Sequence, residues 1–169
     1  MSPAFSPPRR LALAAGLCLA LAACSSGAGI GGDSGPDPRR PARDLEPLDR
    51  AAFGDILTGL RRDNGQGALA MDGRLNRAAQ DYATVLERTP GRLGHRADGR
   101  TVGERARAAG YDYRWVAENL AWGHRSNAQV AEAWMRSPSH RANMLDPRAE
   151  DFGLGREGRS WVLMLGAEK

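Results

Sequence analysis

Two apolar segments near the C-terminus constrain the fold of this chain most strongly. Residues 152–155 read Phe-Gly-Leu-Gly, residues 161–165 read Trp-Val-Leu-Met-Leu, and the turn-forming residues 157–159, Glu-Gly-Arg, lie between them. Short apolar runs on either side of a glycine-containing turn are typical of a β-hairpin. The second run contains no polar residue, which predicts a strand that is buried on both faces. We therefore expect other elements to pack against this hairpin.

Helical periodicity in the first half of the domain supplies such elements. One apolar stripe begins at Leu48 and ends at the turn Asn64-Gly65, and a second stripe runs from about Gly73 to Arg88, where Thr89-Pro90-Gly91 should stop it. The apolar positions of the first stripe are Leu48, Ala52, Phe53, Ile56, Leu57 and Leu60. Those of the second are Leu75, Ala78, Ala79, Tyr82 and Leu86.

Capping sequences predict two further helices. Thr101-Val102-Gly103-Glu104 is a capping box, and Gly110 fits the C-terminal stop of the short helix that it opens. Ser126-Asn127-Ala128-Gln129 is a second capping box, and Pro138 should break or restart the helix that follows it. Helices followed by a terminal hairpin predict a layered α+β fold.

The N-terminus predicts export and a lipid anchor. Arg9 and Arg10 precede the apolar run Leu11–Ala23, which has the length of a signal-peptide core and is short for a membrane span. Leu21-Ala22-Ala23-Cys24 resembles a bacterial lipobox, in which cleavage precedes the cysteine and the thiol is lipidated. Two alternatives are an ordinary secretory signal with an incidental Cys24 and a twin-arginine signal.

We therefore divide the chain into three parts. Residues 1–23 are the predicted lipoprotein signal peptide, residues 24–47 the lipidated Cys24 and a flexible linker, and residues 48–169 a single domain. The linker is rich in Ser, Gly, Pro, Asp and Arg, so it has too little apolar surface to order itself. Anchoring at Cys24 predicts a location in the cell envelope, on the outer membrane facing the periplasm in a Gram-negative cell.

Charge and cysteine content narrow the function classes. Loss of Arg9 and Arg10 with the signal leaves 22 basic and 20 acidic residues, and no basic cluster is interleaved with aromatic side chains. This pattern argues against nucleic acid as a partner. Cys18 lies inside the predicted signal, so lipidation of Cys24 leaves the mature domain without a free thiol or a disulfide.

Two motifs carry a family resemblance. Residues 117–122 read Ala-Glu-Asn-Leu-Ala-Trp, and residues 134–145 read Trp-Met-Arg-Ser-Pro-Ser-His-Arg-Ala-Asn-Met-Leu, with His95 upstream of both. Over roughly residues 48–166 the chain resembles the CAP superfamily, which includes cysteine-rich secretory, antigen-5 and pathogenesis-related-1 proteins and bacterial SCP-like extracellular proteins. The resemblance implies an α-β-α sandwich of the CAP type and a cleft lined by two histidines and two acidic residues.

The resemblance also assigns the cleft residues. His95 matches the first histidine position, Glu118 the first acidic position and His140 the second histidine position, whereas Ser137 occupies the place of the second acidic residue. Two imidazoles and a carboxylate are ligand types that suit zinc, so His95 and His140 are the candidate ligands of a weakly bound divalent metal. Alternatively, the three residues do acid–base work, or Glu118 and Asn119 bond buried backbone in a loop-rich core. His124 is predicted to lie in a loop.

Two function classes stay open from the sequence. The first is a binding module that is lipid-anchored at Cys24 and presents the cleft to a metal ion, a lipid or a protein partner. No cofactor is required in this interpretation. The second is a peptidase-like or esterase-like hydrolase that uses His95, Glu118 and His140. The first is favoured because the sequence shows no nucleophile elbow near His140 and lacks the second acidic residue.

Overall fold

The computed structural model describes residues 45–89, 91 and 93–169. The predicted signal peptide, Cys24 and most of the predicted linker lie outside the described residues, as does Pro90. Five helices are present in the described part: α1 (Arg50–Arg62), α2 (Gly73–Glu87), α3 (Val102–Ala108), α4 (Asn127–Arg136) and α5 (Pro138–Met144). Four strands accompany them: β1 (Ala70–Met71), β2 (Tyr113–Trp122), β3 (Asp151–Glu157) and β4 (Ser160–Glu168). None of the described helices combines the length and the apolar character that crossing a membrane requires.

The strands form one four-stranded sheet in the order β1-β3-β4-β2. The predicted hairpin is confirmed: β3 and β4 pair antiparallel, with Glu157 opposite Ser160 beside the turn. β1 pairs with β3 in parallel, and β2 pairs with β4 antiparallel. The prediction that the second strand is buried on both faces is also confirmed, because every residue from Ser160 to Ala167 is buried.

Helices cover the two faces of the sheet, so the described domain is the expected α-β-α sandwich. Along β4, Trp161, Leu163 and Leu165 pack in one core cluster with residues of α1, α4 and α5. The alternate residues Val162 and Met164 pack in a second cluster with residues of α2 and α3. This alternation is the period of two that a strand imposes on its side chains.

Local sequence accounts for the ends of the helices. Thr101 and Glu104 form the predicted capping box, and Gly110 follows α3 with a φ of 87°, a backbone angle that glycine adopts without strain. Pro138 restarts the chain as α5, where it stands in the first turn. The second predicted capping box is only half formed. Ser126 accepts from the N–H of Gln129, but the Gln129 side chain accepts from Arg125.

Strand β2 takes the place of the loop-rich core that one alternative interpretation assumed around Glu118. Residues 113–122 form a ten-residue strand at the edge of the sheet, paired with β4 along its length except for a shift of register near its start. Pairing places Glu118 opposite Met164 and Asn119 opposite Leu163. The motif residues therefore lie on a rigid element, and their side chains point to opposite faces of the sheet.

Candidate functional site

Strand β2 buries the carboxylate of Glu118 against helix α3. The Glu118 side chain is 1% exposed. Leu120, which shares the same face of the strand, belongs to the core cluster of α2 and α3. A charged group at such a depth requires a partner of opposite sign that also satisfies its hydrogen bonds. The partner is Arg105 on α3.

Arg105 holds both oxygens of that carboxylate. Its Nη2 lies 2.8 Å from Oε1 and 2.7 Å from Oε2 of Glu118. Its Nη1 lies 3.0 Å from Oδ1 of Asp98. The Arg105 side chain is 3% exposed, and its guanidinium stacks on the Tyr82 ring, 3.5 Å from the ring centre. Two carboxylates and an aromatic face therefore fix one buried cation.

His95 lies in the segment before α3, which we call the His95 loop (residues 93–101). Tyr82 anchors this loop, because its hydroxyl donates to the carbonyl of Gly94 and accepts from the N–H of Ala97 at 3.0 Å. Arg105 Nη2 also donates to the carbonyl of His95 at 3.2 Å. The loop is thus fastened to α2 and α3 on both sides of the histidine.

The imidazole of His95 bonds directly to Glu118. The Nδ1 atom lies 2.9 Å from Oε1, while 59% of the His95 side chain is exposed to solvent. The hydrogen bond to Glu118 raises the pKa of His95 above its ordinary value, against a smaller lowering effect of burial. An ionised carboxylate can only accept, so Nδ1 is the donor and Nε2 is the ring nitrogen left for a ligand.

His140 is held against strand β2 by two asparagines. Asn119 donates to the carbonyl of His140 at 3.0 Å. Asn143, one turn further along α5, donates to the Asn119 side chain at 2.9 Å. Burial and then the charge of His95 lower the pKa of His140. The two asparagines therefore fix the backbone of His140 against strand β2.

Other candidate residues lie elsewhere. Ser137 is the N-cap of α5 and makes no capping hydrogen bond through its side chain. His124 is half-buried in the loop after β2, and its carbonyl accepts from the Trp161 indole at 2.9 Å. Burial and the charge of Arg136 lower the pKa of His124. Of the three residues that the resemblance groups, the structure places His95 in direct contact with Glu118, and it ties the backbone of His140 to the neighbouring Asn119. Arg105, Asp98 and Tyr82, which complete this network, were not predicted from the sequence.

The arrangement limits how a metal could be held. Within the part of the chain that the structure describes, no three His, Cys, Asp or Glu side chains converge as a ready-made metal cluster. Glu118 is engaged by Arg105 and His95, which leaves His95 and His140 as the candidate metal ligands. Beside this network, a groove of about 300 Å³ runs between α2 and α3, and Tyr82 and Arg105 line it.

The fold and the site define a class of protein. An α-β-α sandwich that carries a histidine and a buried glutamate in contact, with a second histidine on the short helix after Ser-Pro, is the CAP type of domain. The chain belongs to the CAP family: the family model described as cysteine-rich secretory protein family matches residues 55–161.

Similar proteins include bacterial ones. The uncharacterized protein YkwD of Bacillus subtilis is 36% identical over 55 residues, which cover 31% of this chain and 21% of that protein, so the chain matches only about a fifth of its length.

Two solved structures share the fold. An extracellular protein with an SCP domain from Bacillus anthracis has a TM-score of 0.67 and 18% identity, covering 73% of this chain and 45% of that one. An outer surface protein of Borrelia burgdorferi has a TM-score of 0.63 and 24% identity, covering 74% and 99%.

Proposed function

We propose that this protein is a lipid-anchored binding module of the cell envelope whose CAP domain takes a divalent metal ion of the zinc class. The observation that carries the proposal is the 2.9 Å bond between Glu118 Oε1 and His95 Nδ1. Histidines that ligate metals commonly donate their other ring N–H to a carboxylate, which fixes the ring and its tautomer. In this arrangement His95 offers Nε2 and His140 offers its imidazole.

The proposed metal site is weak and open. Two protein ligands leave at least two positions of a tetrahedral zinc ion to water or to a partner molecule. The exposed His95 side chain keeps those positions accessible. The hydrolase alternative has less support, because the Glu118 carboxylate that it would use as a base is committed to Arg105.

Calorimetry with zinc at pH 7.5 tests the metal site. We expect measurable binding by the wild type, and at least about tenfold weaker binding by the His95→Ala/His140→Ala double variant, because both ligands are removed. His124→Ala is the matched control and should bind like the wild type, since His124 lies in another loop. Ligation requires neutral imidazole, and the pKa of His95 is raised by its bond to Glu118, so affinity should begin to fall at a pH above the ordinary histidine value of about 6.5. Equal heats from the wild type and the double variant would refute the site.

The anchor is tested separately, because Cys24 lies outside the described residues. Its support is the Leu21-Ala22-Ala23-Cys24 motif together with relatives described as extracellular or outer surface proteins. Cys24→Ala should move the protein out of the membrane fraction or leave it unprocessed. Acyl chains contribute about 0.8 kcal/mol for each CH₂ group buried in the bilayer, and the variant carries none.

Fractionation and mass spectrometry of the N-terminus provide the measurement for the anchor. Cys18→Ala is the matched control, since Cys18 lies within the segment that processing should remove. This control should stay with the membrane and carry the same lipid mass as the wild type. A wild-type protein that is soluble and has no lipid on its N-terminus would contradict the anchor.

A further inference from the structure

One guanidinium connects every part of the His95 site except His140. Arg105 Nη2 donates to both oxygens of Glu118 and to the carbonyl of His95. Arg105 Nη1 donates to Asp98 and, at 2.8 Å, to the carbonyl of Arg100. The side chain therefore touches the backbone of His95 directly and its ring through Glu118.

The geometry of these bonds requires an arginine. The guanidinium holds its two terminal nitrogens in one plane, and they reach two different carboxylates: Nη1 bonds Asp98 and Nη2 bonds Glu118. The central carbon of the guanidinium lies over the Tyr82 ring, 3.5 Å from its centre, in cation–π contact. A lysine would keep the positive charge, but it is a point charge on a flexible stem and has no second nitrogen with which to hold both carboxylates at once.

The charge of Asp98, in the His95 loop, also favours the contact with Arg105. Burial alone would raise the pKa of Asp98, but the N–H of Arg100 and the charges of Arg105 and Arg100 outweigh burial, so the pKa of Asp98 lies below its usual value. Asp98 is thus an anionic anchor for Nη1, and Glu118 is the anchor for Nη2. Arg105 spans the two anchors, one in the His95 loop and one on strand β2.

We infer that Arg105 is the positioning residue of the site, which makes Glu118 the orienting acceptor of His95 rather than a metal ligand. Both oxygens of the carboxylate are bonded to Arg105, which fixes its orientation, and Oε1 also accepts from His95 Nδ1 at 2.9 Å. His95 is thereby fixed with Nδ1 protonated and Nε2 presented outward. This inference extends the proposed metal-binding function. It rests on that function only for zinc as the ligand of His95.

Arg105→Lys tests this role, with Arg61→Lys as the matched control. Arg61 is equally buried, at 2% exposed, and it bonds the carbonyls of Gly67, Met144 and Asp146, away from the His95 loop. Two quantities are measured in each variant: zinc affinity by calorimetry, and the tautomer of His95 by ¹⁵N NMR without metal. Loss of an orienting partner of a metal-bound histidine typically weakens affinity about 10–100-fold.

We expect Arg105→Lys to bind zinc about 10–100-fold more weakly and to lose the Nδ1–H preference of His95. Arg61→Lys should keep the Nδ1–H preference of His95, because Arg61 bonds the end of α5, away from the His95 loop. Arg105→Lys with wild-type affinity and tautomer would overturn the inference. If the wild type binds no zinc, the proposed function fails, and the tautomer comparison still decides the role of Arg105. Asp98→Asn serves if circular dichroism shows that Arg105→Lys does not fold. This variant removes one anchor of Arg105, so the Nδ1–H preference of His95 should weaken. An unchanged tautomer of His95 would refute the positioning role of Arg105.

Discussion

Replacing Trp134 by alanine should lower the free energy of unfolding by about 3–5 kcal/mol, the range for removal of a large buried aromatic side chain. Trp134 is 1% exposed and lies on α4, over the face of the sheet that α1 also covers. Its ring meets Phe53 edge-to-face, with centroids 6.1 Å apart. Its indole N–H donates to the carbonyl of Leu120 at 3.1 Å. Alanine would leave a cavity and a buried carbonyl without that donor.

Urea unfolding followed by circular dichroism measures this effect, with Trp122→Ala as the control. Trp122 ends strand β2 and is 38% exposed, with the Arg159 guanidinium 5.5 Å from its ring centre. Its removal should cost less than about 1 kcal/mol, as for most exposed positions. A loss below about 1 kcal/mol for Trp134 as well would mean that its side chain is not part of the core.

Local patterns explain why the helices were predictable. Helix α2 ends within one residue of its predicted end, and its predicted apolar positions are all buried. The cap of α3 depends on Thr101 and Glu104, which are three residues apart and therefore visible in a short window. The hairpin of β3 and β4 is equally local, because its two strands are consecutive.

Long-range pairing explains what the sequence did not reveal. Strand β2 pairs with residues that lie 38 to 55 positions later, from Trp122 with Ser160 to Tyr113 with Glu168. The residues between Tyr113 and Trp122 do not alternate between apolar and polar clearly enough to predict a strand. The role of Arg105 could not be predicted from the sequence, because the chain contains many arginines and only the fold places this one against Glu118. The one local signal is its position four residues after the N-cap Thr101, beside the buried Ala106.

Helix α1 also contains a buried residue whose position depends on a distant part of the chain. The predicted apolar stripe of α1 is largely confirmed, because Phe53 and Leu57 are buried and the other large members pack against the core; Arg61 is the buried residue of this helix that the stripe did not contain. Arg61 takes a core position because its guanidinium satisfies the carbonyls of Met144 and Asp146 at the end of α5. Carbonyls at a helix end lack partners within the helix, so a buried cation is a suitable donor for them. Burial of Arg61 therefore follows from the position of α5, which no window of the α1 sequence contains.

Gly155→Ala should have the second large effect on stability, at the upper end of the range of about 1–3 kcal/mol for overpacking or beyond it. Gly155 lies on β3 under helix α2. A Cβ at this position would stand 2.2 Å from the carbonyl carbon of Ala79 and 2.3 Å from the backbone nitrogen of Gln80. Both atoms belong to the helix backbone, which cannot rotate away as a side chain can. The sheet and α2 would have to separate, and the cluster of Leu75, Tyr82, Val162 and Met164 between them would loosen.

Gly59→Ala provides the matched control for this substitution. Gly59 lies within α1, and no atom approaches within 4 Å of the Cβ that it would acquire. Alanine favours a helix over glycine by about 0.8–1.0 kcal/mol, so this variant should be as stable as the wild type or more stable. Thermal and urea unfolding of both variants give the comparison. Equal stabilities of the two would show that α2 does not rest on β3 as closely as the glycine requires. A large loss in Gly155→Ala alone would identify that contact as the reason why this strand carries glycine at a buried position.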